Sequence, residues 1–149
     1  IVKKKQHFTL KVSDHFSKKD FYCKVNPTSS FKLSLGLVGG LELLRTNIKQ
    51  RIEIVKGYES PESAEGKGKV SRNLHVSGIA ADIQVKDFDL KELFKAAQDI
   101  PEFKGIGLNI TENYVHVDTR KQEEASLWVE ENDKIISLTE ENMSHYFGS

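Results

Sequence analysis

The chain has 149 residues and carries 22 basic and 22 acidic side chains, so its formal net charge is zero. This balance excludes a global attraction to nucleic acid or to an anionic membrane, and binding must come from a local site. No apolar stretch approaches the about 20 residues that span a bilayer. The single Cys23 excludes an internal disulfide and any multi-cysteine metal cluster. The length predicts one domain, over residues 1–149.

Helical spacing of apolar residues in the first third of the chain predicts an amphipathic helix over Leu33–Gln50, with Leu37, Leu41 and Leu44 in its buried stripe. Alternation of charged and apolar residues then predicts a short strand over Arg51–Val55. A stretch rich in Gly, Ser, Lys and Glu follows at 57–78, and a loop of that length inside a compact domain is usually functional.

The second half of the chain alternates strand and helix signals. The predicted elements are a strand at 79–85, a helix that starts at an Asp89/Glu92 capping signal and ends before Pro101, a hairpin of strands 105–110 and 114–118, a second hairpin at 127–138, and a helix from Thr139 to Phe147. Trp128, Tyr146 and Phe147 are expected to pack this C-terminal part onto the core. The pattern predicts an α+β fold, with an antiparallel sheet and helices packed on one face.

Three side chains suggest metal chemistry. His75 and Asp82 flank Gly78, where the backbone can turn tightly, and His116 lies on a hairpin strand with Asp118 two positions on and on the same face. Two imidazoles and one carboxylate suit zinc, which keeps a fourth position for water and lowers the pKa of that water to about 7. By spacing alone, the alternative is that His75 is an ordinary loop residue and His116 a half-buried strand histidine.

Two blocks of sequence resemble a known family. Residues 71–82 (SRNLHVSGIAAD) are similar to the Ser-x-His-x-x-Gly-x-Ala-x-Asp signature of zinc D-alanyl-D-alanine carboxypeptidases and related peptidoglycan endopeptidases, whose fold is shared with the hedgehog signalling domain. Gly105-Ile106-Gly107 and residues 114–120 (YVHVDTR) resemble the second block, a Gly-x-Gly followed by Phe-Val-His-Val-Asp-x-Arg. The resemblance implies that His75, Asp82 and His116 are the zinc ligands.

The likeness extends upstream, to residues 13–21 (SDHFSKKDF) and 57–62 (GYESPE), so it covers about 13–120 and leaves out the C-terminal hairpin and helix at 126–147. It makes His15 a structural histidine. It also implies a location in the periplasm or cell envelope. Because the chain begins at Ile1 rather than Met, an export signal or linker upstream of Ile1 is one expectation, and an arbitrary start explains this equally well.

The chain departs from the family pattern at the substrate-binding positions. Glu59 stands where carboxypeptidase relatives place an arginine for the substrate carboxylate, Asn113 stands where many relatives carry the general base, and Asn73 replaces a serine of the signature. A general base would then be Glu112 or Asp118, although Asp118 has the alternative role of orienting a ligand or pairing with Arg120. Arg72 or Asn73 would stabilise the oxyanion. Arg45, Arg72 or Arg120 would have to supply the missing positive charge.

The resulting hypothesis is a zinc metallopeptidase, of the D,D-carboxypeptidase or endopeptidase type, that cuts D-amino-acid-containing bonds of peptidoglycan stem peptides or crosslinks. The alternative is a catalytically degenerate, zinc-stabilised module that binds cell wall or a protein partner, as the loss of anchor and base residues would predict. A metal-free interaction domain is the third possibility.

Overall fold

The computed structural model describes residues 10–23, 31–61 and 74–148. In chain order, the helices and strands of this part are α1 (Lys18–Phe21), α2 (Leu35–Ile48), β1 (Glu53–Lys56), β2 (Ala80–Gln84), α3 (Leu90–Gln98), β3 (Gly105–Asn109), β4 (Tyr114–Asp118), β5 (Ser126–Glu131), β6 (Lys134–Ser137) and α4 (Glu140–Phe147). Each element predicted from the sequence in this part of the chain is present, within a few residues of its expected bounds.

Within the described residues, the strands form one six-stranded sheet in the order β1-β2-β4-β3-β5-β6. The α+β class is confirmed and the sheet is mostly antiparallel, with one parallel pair of strands, β3 and β5. The reason is the connection at 119–125. Strand β4 ends with Asp118 opposite Gly105, and the chain then passes to the free edge of β3, where Ser126 again lies beside Gly105. Strand β5 thus starts at the same end as β3.

The apolar core lies on one face of the sheet. Alternate residues of β2, β3, β4 and β5 point toward it, and α3 packs against β3 and β4 and also contacts α2. The C-terminal helix joins this layer, since the Phe147 ring stacks on Phe94 with a centroid distance of 5.1 Å. Helices on one face leave the opposite face of β2, β3 and β4 free to carry polar side chains. None of the helices in the described ranges is both long and apolar enough to cross a bilayer.

Two adjacent glycines in α2 test this packing. A Cβ added at Gly40 would lie 2.6 Å from Cε1 of the buried Phe103 ring, whereas a Cβ at Gly39 meets nothing within 4 Å. We expect Gly40→Ala to lower the free energy of unfolding by about 1–3 kcal/mol through overpacking. The matched control Gly39→Ala should raise it by up to about 1 kcal/mol, because alanine favours a helix. Urea unfolding measures both, and equal effects at the two positions would contradict the packing described.

Candidate metal centre

The pairing of β2 with β4 brings two of the predicted ligands together. The antiparallel register places Asp82 directly opposite His116, on the face of the sheet away from the core. The His116 Nδ1 atom lies 3.0 Å from Asp82 Oδ1. Their neighbours in each strand, Ala81, Ile83, Val115 and Val117, point to the other face and are buried in the core.

The third predicted ligand, His75, comes from the connection between β1 and β2. Residues 74–76 are helical, and the chain then turns at Gly78, whose φ of +76° is a conformation that glycine adopts without strain. A side chain at Gly78 would also collide with the backbone of Lys32. The turn delivers the His75 ring to the sheet, with Nε2 3.3 Å from Asp82 Oδ1.

The rings of both histidines are oriented by groups outside the cluster. His75 Nδ1 lies 2.7 Å from the Gly57 carbonyl oxygen. Because a carbonyl can only accept a hydrogen bond, Nδ1 donates to it, and Nε2 is the nitrogen that faces the cluster. For His116 the roles are reversed: Nε2 lies 2.7 Å from Asp118 Oδ2, so that Nε2 donates to the carboxylate and Nδ1 faces Asp82.

The three side chains form a compact, buried group. One ligand atom from each of His75, Asp82 and His116 lies within 4.8 Å of the others, and the residues are only 2–6% exposed. Two nitrogens and one oxygen at this spacing suit a transition-metal ion and leave a coordination position for water. In the described residues, this is the group of His, Cys, Asp and Glu side chains that could hold a metal.

Asp118 is fully engaged by its neighbours. Besides the contact with His116, it accepts two hydrogen bonds from the Arg120 guanidinium, Nε to Oδ1 at 2.9 Å and Nη2 to Oδ2 at 2.9 Å. The Arg120 backbone N–H donates a further hydrogen bond to Oδ1, at 3.1 Å. The Asp118 side chain is completely buried. This geometry favours the alternative considered from the sequence, in which Asp118 orients His116 and pairs with Arg120.

The charges of the cluster are strongly coupled. Burial alone would raise the pKa of Asp82, but hydrogen bonds from His116 and His75 hold this pKa well below its usual range. Burial would likewise lower the pKa of His116, but the two carboxylates, Asp118 and Asp82, raise it to about 9. In the absence of metal, His116 is therefore an imidazolium at neutral pH, and both of its nitrogens face a carboxylate oxygen.

Glu112 and Asn113, predicted from the sequence as a general base and a substrate contact, lie outside the His75-Asp82-His116 cluster. Glu112 and Asn113 lie in the exposed turn between β3 and β4, where Asn113 adopts a left-handed φ of 63° that asparagine tolerates. The Asn113 carbonyl accepts a hydrogen bond from Gln84 Nε2 at 2.6 Å. Glu112 precedes β4 in this turn, and its backbone N–H donates a hydrogen bond to Asn109 Oδ1 at 2.8 Å.

Glu59 is nearly buried beside His75. Its backbone N–H donates to the His75 carbonyl at 3.3 Å, and its carboxylate lies 3.6 Å from the Lys56 ammonium group. Arg72 and Asn73 lie outside the described residues. Arg45 lines a cavity of about 790 Å³ with Lys11, Arg51 and other residues, and none of the three candidate ligands lines that cavity.

Two aromatic residues near the cluster were assigned no site role from the sequence. Tyr114 lies two positions before His116 on the same face of β4. The expectation that Trp128 packs onto the core is wrong, because Trp128 lies on the polar face, with its indole centroid 5.4 Å from that of His116. The signal in the sequence was its neighbour: the buried Val129 fixes the core face of β5, and Trp128 must then point the other way.

A buried His-Asp-His cluster on the polar face of an α+β sheet offers the three protein ligands that are typical of a catalytic zinc site. Residues 30–123 match the family model described as peptidoglycan L,D-endopeptidase MepK (Peptidase_M15_2). Since the match covers more than half of the chain, the chain belongs to this family of zinc peptidases. The matched range contains His75, Asp82 and His116 but not His15 or Trp128. Among curated proteins, the search gave no match.

The raised pKa of His116 predicts a pH-dependent metal affinity. Below about pH 9 a divalent metal must displace a proton from His116, so its apparent affinity should rise with pH, by up to about tenfold per unit, and level off above that pKa. Chelator competition with zinc between pH 6 and 9.5 measures this. An affinity that stays constant between pH 6.5 and 8.5 would contradict the arrangement of His116 between two carboxylates.

Proposed function

We propose that this chain is a zinc-dependent endopeptidase that cuts peptide bonds next to D-amino acids in the stem peptides or crosslinks of bacterial peptidoglycan. The observation that carries the proposal is the convergence of His75 Nε2, Asp82 Oδ1 and His116 Nδ1 on one buried point. The family match supports the substrate, since its description names a peptidoglycan endopeptidase. An exported protein, in the periplasm or cell envelope, follows from that substrate.

The donor set fits zinc better than a hard cation. Magnesium and calcium prefer oxygen ligands, whereas zinc takes imidazole nitrogen readily and is stable with three protein ligands. When bound, zinc would polarise the substrate carbonyl and make water nucleophilic near neutral pH. His75, Asp82 and His116 would hold it, with one net negative charge from Asp82 when both imidazoles are neutral.

The residues around the ligands keep them in place. The Gly57 carbonyl orients the ring of His75, and Asp118 orients that of His116, so that His75 Nε2 and His116 Nδ1 face the same point. A metal bound there would take the place of the proton on His116 Nδ1. Arg120 neutralises the Asp118 carboxylate, which keeps the negative charge near the site from accumulating. We assign Asp118 to this orienting role rather than to proton transfer, because both of its oxygens already accept hydrogen bonds.

The side chain that we propose as proton acceptor is Glu112. Its carboxylate is exposed at the hairpin turn and is free of ion pairs with described residues. It precedes the first residue of β4 by two positions and His116 by four, so a substrate or a water would have to connect it to the cluster. Asn113 cannot accept a proton, and its part would be to shape the turn that holds Glu112.

The charges near the cluster favour an endopeptidase over a carboxypeptidase. A carboxypeptidase must grip a terminal carboxylate, and the position where relatives carry an arginine is Glu59, which would repel it. Of the arginines considered as substitutes, Arg120 is committed to Asp118 and Arg45 lines a separate cavity. Glu59, paired with Lys56, suits an internal peptide segment with an amide or cationic group at that place.

A second function is favoured by the same departures. Glu59 and Asn113 leave the chain without the usual anchor and base, which is what a zinc-stabilised binding module would show. In that case His75, Asp82 and His116 tie the connection after β1 to the sheet, and the polar face recognises peptidoglycan or a protein without cutting it. The two functions predict the same metal site and differ only in turnover.

Digestion of intact peptidoglycan distinguishes them. The zinc-loaded protein, the chelator-treated protein and the variant His116→Ala would each be incubated with purified sacculi, and the soluble products resolved by mass. We expect zinc-dependent fragments from the native chain and none beyond the chelator level from His116→Ala, which loses one of the three ligands. His145→Ala is the matched control, because His145 is exposed on α4, and it should cleave normally.

The identity of the products tests the finer proposal. Fragments with new internal ends support an endopeptidase, whereas loss of a single terminal residue would overturn that assignment in favour of a carboxypeptidase. Stoichiometric zinc with no fragments would support the binding module. A chain that takes up no zinc would contradict both proposals.

A further inference from the structure

Two glycines of β3 face the candidate metal centre from the neighbouring strand. Gly105 and Gly107 lie opposite Asp118 and His116, on the polar face of the sheet. A Cβ at Gly105 would overlap the Asp118 carboxylate and Arg120, and a Cβ at Gly107 would overlap the Trp128 indole. At these two positions β3 therefore has no side chains on the polar face, and the side chains of Asp118, Arg120 and Trp128 pack directly against its backbone.

The Trp128 indole occupies the space at Gly107 and contacts His116. Trp128 of β5 is paired with Gly107 of β3. Its indole lies over Gly107 and contacts the His116 imidazole, with 5.4 Å between the ring centroids and 44° between the ring planes. The Arg120 guanidinium carbon lies 5.2 Å from the centre of the same indole, within the range of a cation–π contact. Trp128 thus contacts both His116 and Arg120, the two ends of a chain of hydrogen bonds that passes through Asp118.

That chain runs from His116 to Asp118 and from Asp118 to Arg120, so Trp128 closes it into a ring of four side chains. Arg120 is only a quarter exposed, and its long side chain would have many rotamers without a surface to lie on. The indole supplies that surface. A guanidinium held over Trp128 keeps both oxygens of Asp118 in place, and Asp118 in turn keeps the His116 ring in its plane.

We propose that Trp128 is a positioning residue of the metal centre: through Arg120 and Asp118, and by direct contact, it holds His116 in the orientation that presents Nδ1 to the metal. The proposal rests on the zinc site proposed above and names the residue that completes its support. Outer groups of this kind commonly change metal affinity by 10- to 100-fold. Gly107 is required because any side chain there would displace the indole.

The test compares Trp128→Leu with Trp128→Phe and Gly107→Ala. Leucine keeps apolar volume but has no aromatic face for Arg120, so zinc affinity by chelator competition should fall about 10-fold or more. Phenylalanine keeps an aromatic face and should stay within about threefold of the native chain. Gly107→Ala should resemble Trp128→Leu although the indole is present, whereas Gly39→Ala, with open space at its Cβ, should bind zinc normally.

A spectroscopic readout separates this inference from the zinc proposal. The hydrogen bond from His116 Nε2–H to Asp118 exists without metal, so its proton resonance can be followed in the metal-free protein with ¹⁵N-labelled histidine. We expect it to broaden or vanish by exchange in Trp128→Leu and Gly107→Ala and to persist in Trp128→Phe. The His75 Nδ1–H resonance, held by the Gly57 carbonyl, should not change in any of them.

An unchanged His116 resonance and zinc affinity in both Trp128→Leu and Gly107→Ala would overturn the proposal. The same result with a raised KM for peptidoglycan fragments would also overturn it, and would make Trp128 a substrate contact instead. Should Trp128→Leu fail to fold, Gly107→Ala decides alone. Failure of the native chain to bind zinc would refute the proposed function, while the resonance in the metal-free protein would still decide whether Trp128 positions His116.

Discussion

The register between β2 and β4 is the constraint on which the candidate site depends. It sets Asp82 opposite His116 on the polar face while Ala81, Ile83, Val115 and Val117 enter the core. Because side chains alternate along a strand, a slip of one residue would bury a carboxylate and an imidazole among the helices. The free energy that buries the four apolar side chains therefore also fixes the position of the two polar ones. The geometry of the candidate metal site is in this sense a product of the core.

Around that pair, the remaining parts of the site act mainly by restricting orientation. Gly57 contributes only a carbonyl, Gly78 a turn in which the Lys32 backbone leaves no room for a side chain, and Asp118 a carboxylate that contacts His116 from outside the cluster. Each removes a degree of freedom from an imidazole ring before any ligand arrives. Such preorganisation matters more than the number of contacts, because a metal then binds without having to order its own ligands.

Much of this could be predicted from the sequence. The hydrophobic periodicity of α2 and α3, the Asp89 cap and the alternation in β2 and β4 are local signals, and they located these elements within a few residues. The connection at 119–125 decides at which edge of the sheet β5 is added, and it has no periodic pattern. The parallel pairing of β5 with β3 could therefore not be predicted. The three clustered residues came from two motif blocks, since their spacing alone left an ordinary loop histidine as the alternative.

The roles of Asp118 and Trp128 depended on contacts across strands, which local sequence does not encode. Asp118 has the same residue type whether it accepts a proton or orients a ring, and only the positions of Arg120 and His116 separate the two. Trp128 was expected to pack onto the core, although the absence of a side chain at Gly107 accommodates its indole on the other face. Glycines at alternate positions in a strand, such as Gly105 and Gly107, indicate that side chains of neighbouring strands pack over its backbone.

The X-ray absorption spectrum of the zinc-loaded protein at the zinc edge shows directly whether His75, Asp82 and His116 bind the metal. We expect one zinc per chain, with a first shell of nitrogen and oxygen at about 2.0–2.1 Å and the outer-shell pattern of two imidazole rings. Sulfur scattering at about 2.3 Å, which only Cys23 or the single methionine could supply, or a shell with fewer than two imidazoles would contradict it.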